Sequence, residues 1–219
     1  MFQRILALLI GYLLGNFQTA FIYGKLHGID IREHGSGNAG TTNTLRVLGT
    51  KAGLIVFAGD LLKAVLAVVI TKLIFMGRYE DMKQLLVIYA GFGRILGHDY
   101  PCFIQFRGGK GIASTGGIMI ASHPAYFPVG LLLFFGNFLA THYVSLGSLV
   151  MYAGFFVQTV IMGQLGVFHM SQANLIEMYI IVLIMTVMAF VKHRGNISRL
   201  IHHEERKTYL FKKSDKKAE

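Results

Sequence analysis

The sequence predicts an all-α polytopic integral membrane protein of about seven transmembrane segments, some short or broken, with the N-terminus outside and the C-terminus cytoplasmic. Three observations predict it. Of 219 residues, 53% are hydrophobic and 15% are charged, against about 25% charged in an ordinary soluble domain. Mean hydropathy is +0.53, and long apolar stretches recur along the chain. The 26 glycines suit membrane helices, whose backbones approach closely only over small residues. Such a chain buries apolar surface too readily for disorder, and a lone Cys102 excludes a disulfide scaffold. The formal charge of +10 raises nucleic acid as a partner. The bases, however, sit between apolar stretches and at the C-terminus, where an anionic membrane surface accounts for them. No nucleic acid is expected.

A perpendicular crossing needs roughly 20 apolar residues. Residues 5–24, between Arg4 and Lys25, run too long for a signal-peptide core and lack a small-residue cleavage site, so they read as a retained helix. Residues 52–76 form the second segment and carry Asp60 and Lys63 inside it. Residues 84–97 are short and end at His98-Asp99-Tyr100-Pro101, and residues 111–122 stop at His123-Pro124. Residues 125–140, 144–167 and 175–191 complete the seven. Two or three of these are too short to cross unaided, which is tolerated where neighbours shelter them. If the short pieces are re-entrant, the count falls to five. Either count is odd and puts the termini on opposite sides.

Charge orients the chain. Sixteen bases, Arg94 among them, fall on one side and four on the other, with Lys63 in the membrane. The positive-inside rule makes the richer side cytoplasmic. The expected organisation is one multi-pass domain, 1–219, in the cell membrane, with cytoplasmic loops at 25–51, 98–111 and 192–219. The tail 208–219, with its Lys-Lys-Ser-Asp-Lys-Lys run, reads as a solvated basic end near anionic lipid. Nothing in the sequence assigns an oligomeric state, and a monomer is the default.

Polar residues gather in those three cytoplasmic segments. In the first, Gly35, Gly37 and Gly40 permit a tight loop whose amides converge on an anion. Ser36, Asn38, Thr41, Thr42 and Asn43 add neutral donors, and Arg46 offers a planar fork suited to phosphate. A helix starting at Thr41 would present its N-terminus to negative charge. A plain Gly/Asn linker is the alternative, but a solvated linker has no need of so many donors. In the second segment, Arg107-Gly108-Gly109-Lys110-Gly111 leads into an apolar helix. It follows the logic of a P-loop without that motif's spacing, and no strand precedes it, so nucleotide hydrolysis is not expected. Taken alone it is equally a basic turn flanking the membrane. Cys102, among Pro and Phe, reads as a small hydrophobe rather than a nucleophile.

In the third segment a stop-transfer flank accounts for Lys192, Arg194 and Arg199, but not for His193 and Asn196. Those two share a face if the helix continues. His202-His203-Glu204-Glu205 invites a metal reading. Adjacent residues do not share a helix face and no second ligand pair recurs, so no metal site and no cofactor are expected. Asp60 and Lys63, at i and i+3 within the membrane, are either a structural ion pair or a wall of the polar site.

Together the three segments resemble the bacterial acyl-phosphate:glycerol-3-phosphate acyltransferases of the PlsY type. The family pattern G-S-G-N-x-G-[AT]-T-N-x-x-R is matched from Gly35 to Arg46. The pattern G-H-x-[FY]-P-x-F-x-x-F-[KR]-G-G-K-G is matched from Gly97 to Gly111. The pattern H-R-x-N-I-x-R-L-x-x-G-x-E is matched from His193 to Leu200 and again at Glu205, with His203 where the family has Gly. An in-membrane D-x-x-K, here Asp60 and Lys63, is also usual.

The resemblance implies transfer of a long-chain acyl group from acyl phosphate to the sn-1 hydroxyl of glycerol-3-phosphate, giving lysophosphatidate and inorganic phosphate. On that reading Ser36, Arg46, Lys110 and the amides of Gly108, Gly109 and Gly111 bind phosphate. Asn38, Thr41 and Asn43 complete or shape that site, and Arg107, Arg199, Glu205, Asp60 and Lys63 are counted with them as substrate-binding. His193 and Asn196 orient glycerol-3-phosphate, with either His193 or a substrate phosphate as base. The mixed anhydride is already activated, so positioning and charge stabilisation carry much of the acceleration. Acyltransferases with a His-x4-Asp pair are disfavoured, because no histidine has Asp five positions on. A transporter of organic phosphates is the non-enzyme alternative. It is weakened by the lack of internal repeats and by the confinement of the motifs to one face.

Overall fold

The computed structural model describes residues 1–75 and 77–209. Among them the regular structure is entirely helical: α1 (Phe2–Asn16), α2 (Thr19–Leu26), α3 (Thr41–Leu48), α4 (Thr50–Phe75), α5 (Lys83–Asp99), α6 (Ile112–Ser122), α7 (Tyr126–Thr141), α8 (Val144–Gln164), α9 (Gln172–Lys192) and α10 (Arg194–Ile201), with three short 3₁₀ turns. Four stretches are long and apolar enough to cross a bilayer: Phe2–Leu26 taken together, α4, α8 and α9. The helices α6 and α7 are apolar but shorter, and α5 has 17 residues with polar ends. Leu54, Leu62, Leu73, Leu132 and Ile180 point outward from the bundle, as lipid-facing residues do.

The first segment is not one unbroken helix. The backbone is extended at Phe17 and Gln18, and side chains from other helices satisfy what the break frees. Lys63 donates to the Phe17 carbonyl. The Gln18 amide donates to the carbonyls of Gly15 and His98, each at 3.0 Å. Thr19 Oγ1 donates to Asp60 Oδ1 at 2.8 Å. Broken backbone at membrane depth persists only where protein re-satisfies it.

The closest helix pair is α1 with α5, which run parallel. Gly11 and Gly15 of α1 face Gly93 and Gly97 of α5, a small-xxx-small stripe on each helix. A Cβ at Gly93 would strike the Leu8 carbonyl, and one at Gly97 the Tyr12 carbonyl. The larger core lies between α5, α6, α8, α9 and the start of α7, around Tyr126, Tyr152, Phe155, Met178 and Met185. At the end away from the motif loops, Arg4 clamps Glu177 through two 2.6 Å bonds and Tyr89 donates to the same carboxylate at 2.6 Å. That contact pins α1, α5 and α9 together.

Two readings from sequence are corrected here. Arg94 is not a cytoplasmic surface base. It is 0% exposed within α5, where it donates to the Asp60 carbonyl at 3.2 Å and stands 3.8 Å from the Asp60 carboxylate. The tail is not solvated at its start, because Thr208 is buried. Its basic run, residues 212–217, and the second segment's end at Met76 lie outside the described residues.

Candidate functional site

Three irregular stretches bring the polar residues together. In the first, Asp30 accepts from the Arg32 backbone and guanidinium at 2.7–3.0 Å, which holds the Asp30 carboxyl well below the usual carboxylate range. Arg32 also donates to the Ile104 carbonyl at 3.0 Å, tying the first loop to the second. Asn43 is 1% exposed. It accepts from the Ser36 amide at 2.8 Å and donates to the carbonyls of Ile31 and His34. With Gly35 and Gly37 at positive φ, the loop curls back over the start of α3. That start is a free helix N-terminus: Gly40 provides no side-chain cap, and the buried Thr41 hydroxyl has no partner among the described residues.

The second loop is built on the end of α5. Gly109 donates its amide to the His98 carbonyl at 3.0 Å. A Cβ at Gly108 would strike that carbonyl, and one at Gly109 would strike the His98 ring. Gly111, at φ +70°, then turns the chain into α6, which also begins without a side-chain cap. In the third stretch α9 ends at His193, whose φ of −98° and ψ of 7° break the helix before α10. The helix does not continue through His193, the condition on which His193 and Asn196 would share a face. The imidazole Nδ1 lies 2.7 Å from the Ala189 carbonyl, so Nδ1 carries the proton and Nε2 is left as the acceptor.

These stretches enclose a cavity of about 640 Å³. Of the residues singled out from sequence, Gly35, Ser36, Gly37, Asn38, Gly40, Thr41, Asn43, Arg46, Asp60, Lys110, Gly111, His193, Asn196, Arg199 and Glu205 line it. Four do not. Arg107 is exposed outside it, and Lys63 turns to Asp60 and the Phe17 carbonyl. Gly108 and Gly109 instead pack on His98, and the Gly109 amide is already engaged. Phe57, Ile112, Ala113, Phe134 and Val144 form an apolar wall of the same cavity.

The site is electropositive. Lys110 donates to Asn196 Oδ1, and Asn196 Nδ2 donates to Glu205 Oε1 at 2.7 Å. Burial brings the Lys110 ammonium down to about 8, with Arg199 and Lys192 pushing the same way and Glu205 opposing. Arg46 is lowered by partial burial and by neighbouring Arg206. Burial, then the Lys110 charge, takes His193 down to about 4, so its imidazole is neutral at neutral pH. Asp60 pairs with Lys63 at 3.0 Å and also reaches the cavity wall beside His98.

Sequence reasoning missed Arg94 and His98 as neighbours of Asp60, Ser145 as a partner of Glu205 at 3.0 Å, and Thr208 as a partner of Arg46 at 3.0 Å. A fully apolar context around Arg94 was the available signal for its burial. Nothing local marked Ser145 or Thr208. His203, the departure from the family pattern, sits at φ +58°, in the left-handed region a Gly would occupy. The His203 amide reaches the Leu200 carbonyl at 3.2 Å and the Glu204 amide reaches that of Arg199 at 2.7 Å. The usual glycine-closed helix end is thus formed without glycine, and Glu205 is delivered to Asn196, Arg199 and Ser145.

Residues 5–203 match the family model described as glycerol-3-phosphate acyltransferase. The chain is 40% identical over 208 residues to the glycerol-3-phosphate acyltransferase of Clostridioides difficile strain 630, covering 94% of this chain and 96% of that one. It is 40% identical over 203 residues to that of Bacillus subtilis strain 168, covering 92% and 96%. Among solved structures, it superposes with a TM-score of 0.81 and 31% identity on the glycerol 3-phosphate form of PlsY (YgiH), an integral membrane glycerol 3-phosphate acyltransferase, over 94% of this chain and 96% of that one. The lysphosphatidic acid form of the same protein gives 0.78 and 30% over the same shares. By motif, by sequence along nearly its whole length, and by fold, this chain belongs to the glycerol-3-phosphate acyltransferase family.

Proposed function

We propose that this membrane acyltransferase moves a fatty acyl group from acyl phosphate to the sn-1 hydroxyl of glycerol-3-phosphate, releasing lysophosphatidate and inorganic phosphate. One observation carries the reading. Two uncapped helix N-termini, those of α3 and α6, open into one cavity whose wall is apolar on another side. A helix N-terminus favours an anion, each substrate brings one phosphate, and the donor brings a long apolar chain.

In this reading Ser36, Thr41 and Arg46 hold one phosphate at α3, and Lys110 with the amides of Gly111 and the first turn of α6 holds the other. Asn38 and Gly40 shape the first loop. Asn196 orients the glycerol backbone. The neutral His193, with Nε2 free of a proton, accepts the proton of the attacking hydroxyl. The hydroxyl oxygen adds to the acyl carbon, the carbon–oxygen bond to phosphate breaks, and the departing phosphate is stabilised by the cations that bound it. No acyl-enzyme is required. A monomer is the favoured state.

The same reading places seven crossings in the cell membrane, with the N-terminus outside and the cavity, α10 and the C-terminus cytoplasmic. The excess of bases beside the loops supports that orientation. Purified protein in detergent, given acyl phosphate, is expected to release inorganic phosphate and form lysophosphatidate only when glycerol-3-phosphate is present. Acylation from acyl-CoA but not from acyl phosphate would overturn the donor. Uptake of glycerol-3-phosphate into liposomes without any acylated product would overturn the enzyme in favour of a transporter.

A further inference from the structure

Beyond α10 the chain leaves the family match, which ends at residue 203, yet it does not leave the site. It runs along the cavity, which Glu205 and Arg206 line, as a strap fastened at two places. Glu205 accepts from Asn196, from Ser145 at 3.0 Å and from Arg199 Nε at 2.8 Å. Three residues on, the Thr208 amide donates to the His142 carbonyl at 2.9 Å, and the Tyr209 ring lies 4.8 Å from the His142 ring. Thr208 itself is only 5% exposed. Its hydroxyl oxygen accepts from Arg46 Nη2 at 3.0 Å, and the same nitrogen makes a longer, 3.4 Å bond to the Arg206 carbonyl.

We propose that Thr208 is a positioning residue that fixes the Arg46 guanidinium at the cavity wall. The proposal rests on the reading of Arg46 as a phosphate ligand. A guanidinium has five N–H donors, and the strap engages one Nη2 edge. The remaining donors are left for an anion in the cavity, which Arg46 lines. The partner is a neutral hydroxyl, so it orients the arginine without cancelling its charge. A carboxylate in the same place would do the reverse. Such a tether matters here because Arg206 and Arg199 also stand near Arg46, and like charges drive a free side chain out towards water.

The test compares Thr208→Val, which keeps the shape and loses the hydroxyl, with Thr208→Ser, which keeps the hydroxyl, and with Arg46→Lys. Losing the pre-orientation of one long side chain is expected to raise KM for one of the two phosphate-bearing substrates by roughly three- to tenfold, with kcat changing less. Thr208→Ser is expected to stay within about twofold of the parent on the same scale. Combined with Arg46→Lys, Thr208→Val is expected to add almost nothing, because Thr208 acts only through the Arg46 guanidinium. Three results would overturn the proposal. One is an unchanged KM for both substrates in Thr208→Val while Arg46→Lys is impaired. Another is a fall in thermal stability without any KM change. The last is a Thr208→Ser enzyme as impaired as Thr208→Val. If Arg46→Lys itself leaves both KM values untouched, the phosphate reading of Arg46 is what fails, and the role of Thr208 falls with it.

Discussion

The ammonium of Lys110 and the side-chain oxygen of Asn196, 86 positions apart in the chain, form one hydrogen bond. It joins the glycine-rich loop before α6 to the start of α10 and aims the lysine into the cavity. The same amide hands its other end to Glu205, so a positive, a neutral and a negative group lie in series. Such a chain is sensitive to the loss of any member.

The first prediction concerns the lysine charge. Lys110 loses its proton near pH 8, so the free enzyme holds a cation below that value and a neutral amine above it. The profile of kcat/KM should fall as pH rises through about 8, because that parameter reports the free enzyme. A bound phosphate stabilises the cation, so kcat should hold to higher pH. In Lys110→Arg the basic limb should vanish, since a guanidinium stays charged throughout. Lys110→Met should lose roughly 10- to 100-fold in kcat/KM below about pH 8, and the gap to the parent should narrow above it. A parent profile flat to pH 10 would refute this account.

His193 titrates on the other side. With its pKa lowered from 6.5 to about 4, it is neutral throughout the working range. It should contribute no acid limb between pH 5 and 7. A limb near pH 6 would belong to the second ionisation of a phosphate monoester, itself about 6. The same shift bears on stability. As pH falls below 6.5 the unfolded chain takes the proton first, so the contribution of His193 to stability is lost progressively down to about 4. His193→Ala should lower kcat at saturating substrate by about 10²- to 10⁴-fold if the imidazole is the base. Retention of most of the turnover would assign the proton to a substrate phosphate.

A third prediction addresses the helix end at His203. A non-glycine residue held in the left-handed region costs about 1 kcal/mol relative to glycine. His203→Gly should therefore raise stability by about 1 kcal/mol, a shift of roughly 2–4 °C in Tm for a chain of this size. Both KM values and kcat should stay put, because Glu205 is already seated. A destabilised His203→Gly would mean that the exposed imidazole makes a favourable contact of its own.

What could be read from the chain beforehand follows from what is local. The glycines around Ser36 and before Lys110 announced tight loops, the apolar run after Gly111 announced α6, and the polar stretch from Thr41 was legible only as a place where a helix could start. Loop and helix signals act over a few residues and survive in a bare sequence. The partners of Asp60 are different. Lys63 was visible at i+3, whereas Arg94 and His98 come from another helix, Arg94 legible only as a charge in apolar surroundings and His98 only as part of the second loop's motif. The break at Phe17 and Gln18 was hidden for the same reason. An apolar run predicts a continuous helix, and only Lys63, Asp60 and the end of α5 make the interruption tolerable. Thr208 had no local signature, because its importance comes from where the strap carries it.

Asp60 supplies a fourth prediction. Arg94 is fully enclosed, and Asp60 is the carboxylate nearest it, at 3.8 Å. Removing one member of a buried pair leaves an uncompensated charge and typically costs about 3–5 kcal/mol. Asp60→Ala should lose that much and also free Thr19 and Lys63, loosening the join between α1 and α2. Replacing both ions, as in Asp60→Leu with Arg94→Met, should recover much of the loss. If Asp60→Ala proved as stable as the parent, the ion cluster would not be holding the broken helix in place.

The glycine stripe between α1 and α5 gives the last prediction, with an internal control. A Cβ at Gly93 would strike the carbonyl oxygen of Leu8, a backbone atom that cannot swing aside. Gly93→Ala must therefore push α1 away from α5. Overpacking of this kind costs about 1–3 kcal/mol and sometimes more, and here it also displaces Gly97 and His98, which support the second loop. The variant should lose both stability and affinity for phosphate-bearing substrate. Gly116 on α6 is the comparison, because a Cβ there meets nothing within 4 Å. Gly116→Ala should be neutral or gain up to about 1 kcal/mol from helix propensity alone. Thermal unfolding of the two variants in one detergent separates close packing from the general intolerance of a membrane helix to change. Equal behaviour of the pair would mean that the α1–α5 approach is looser than the structure makes it.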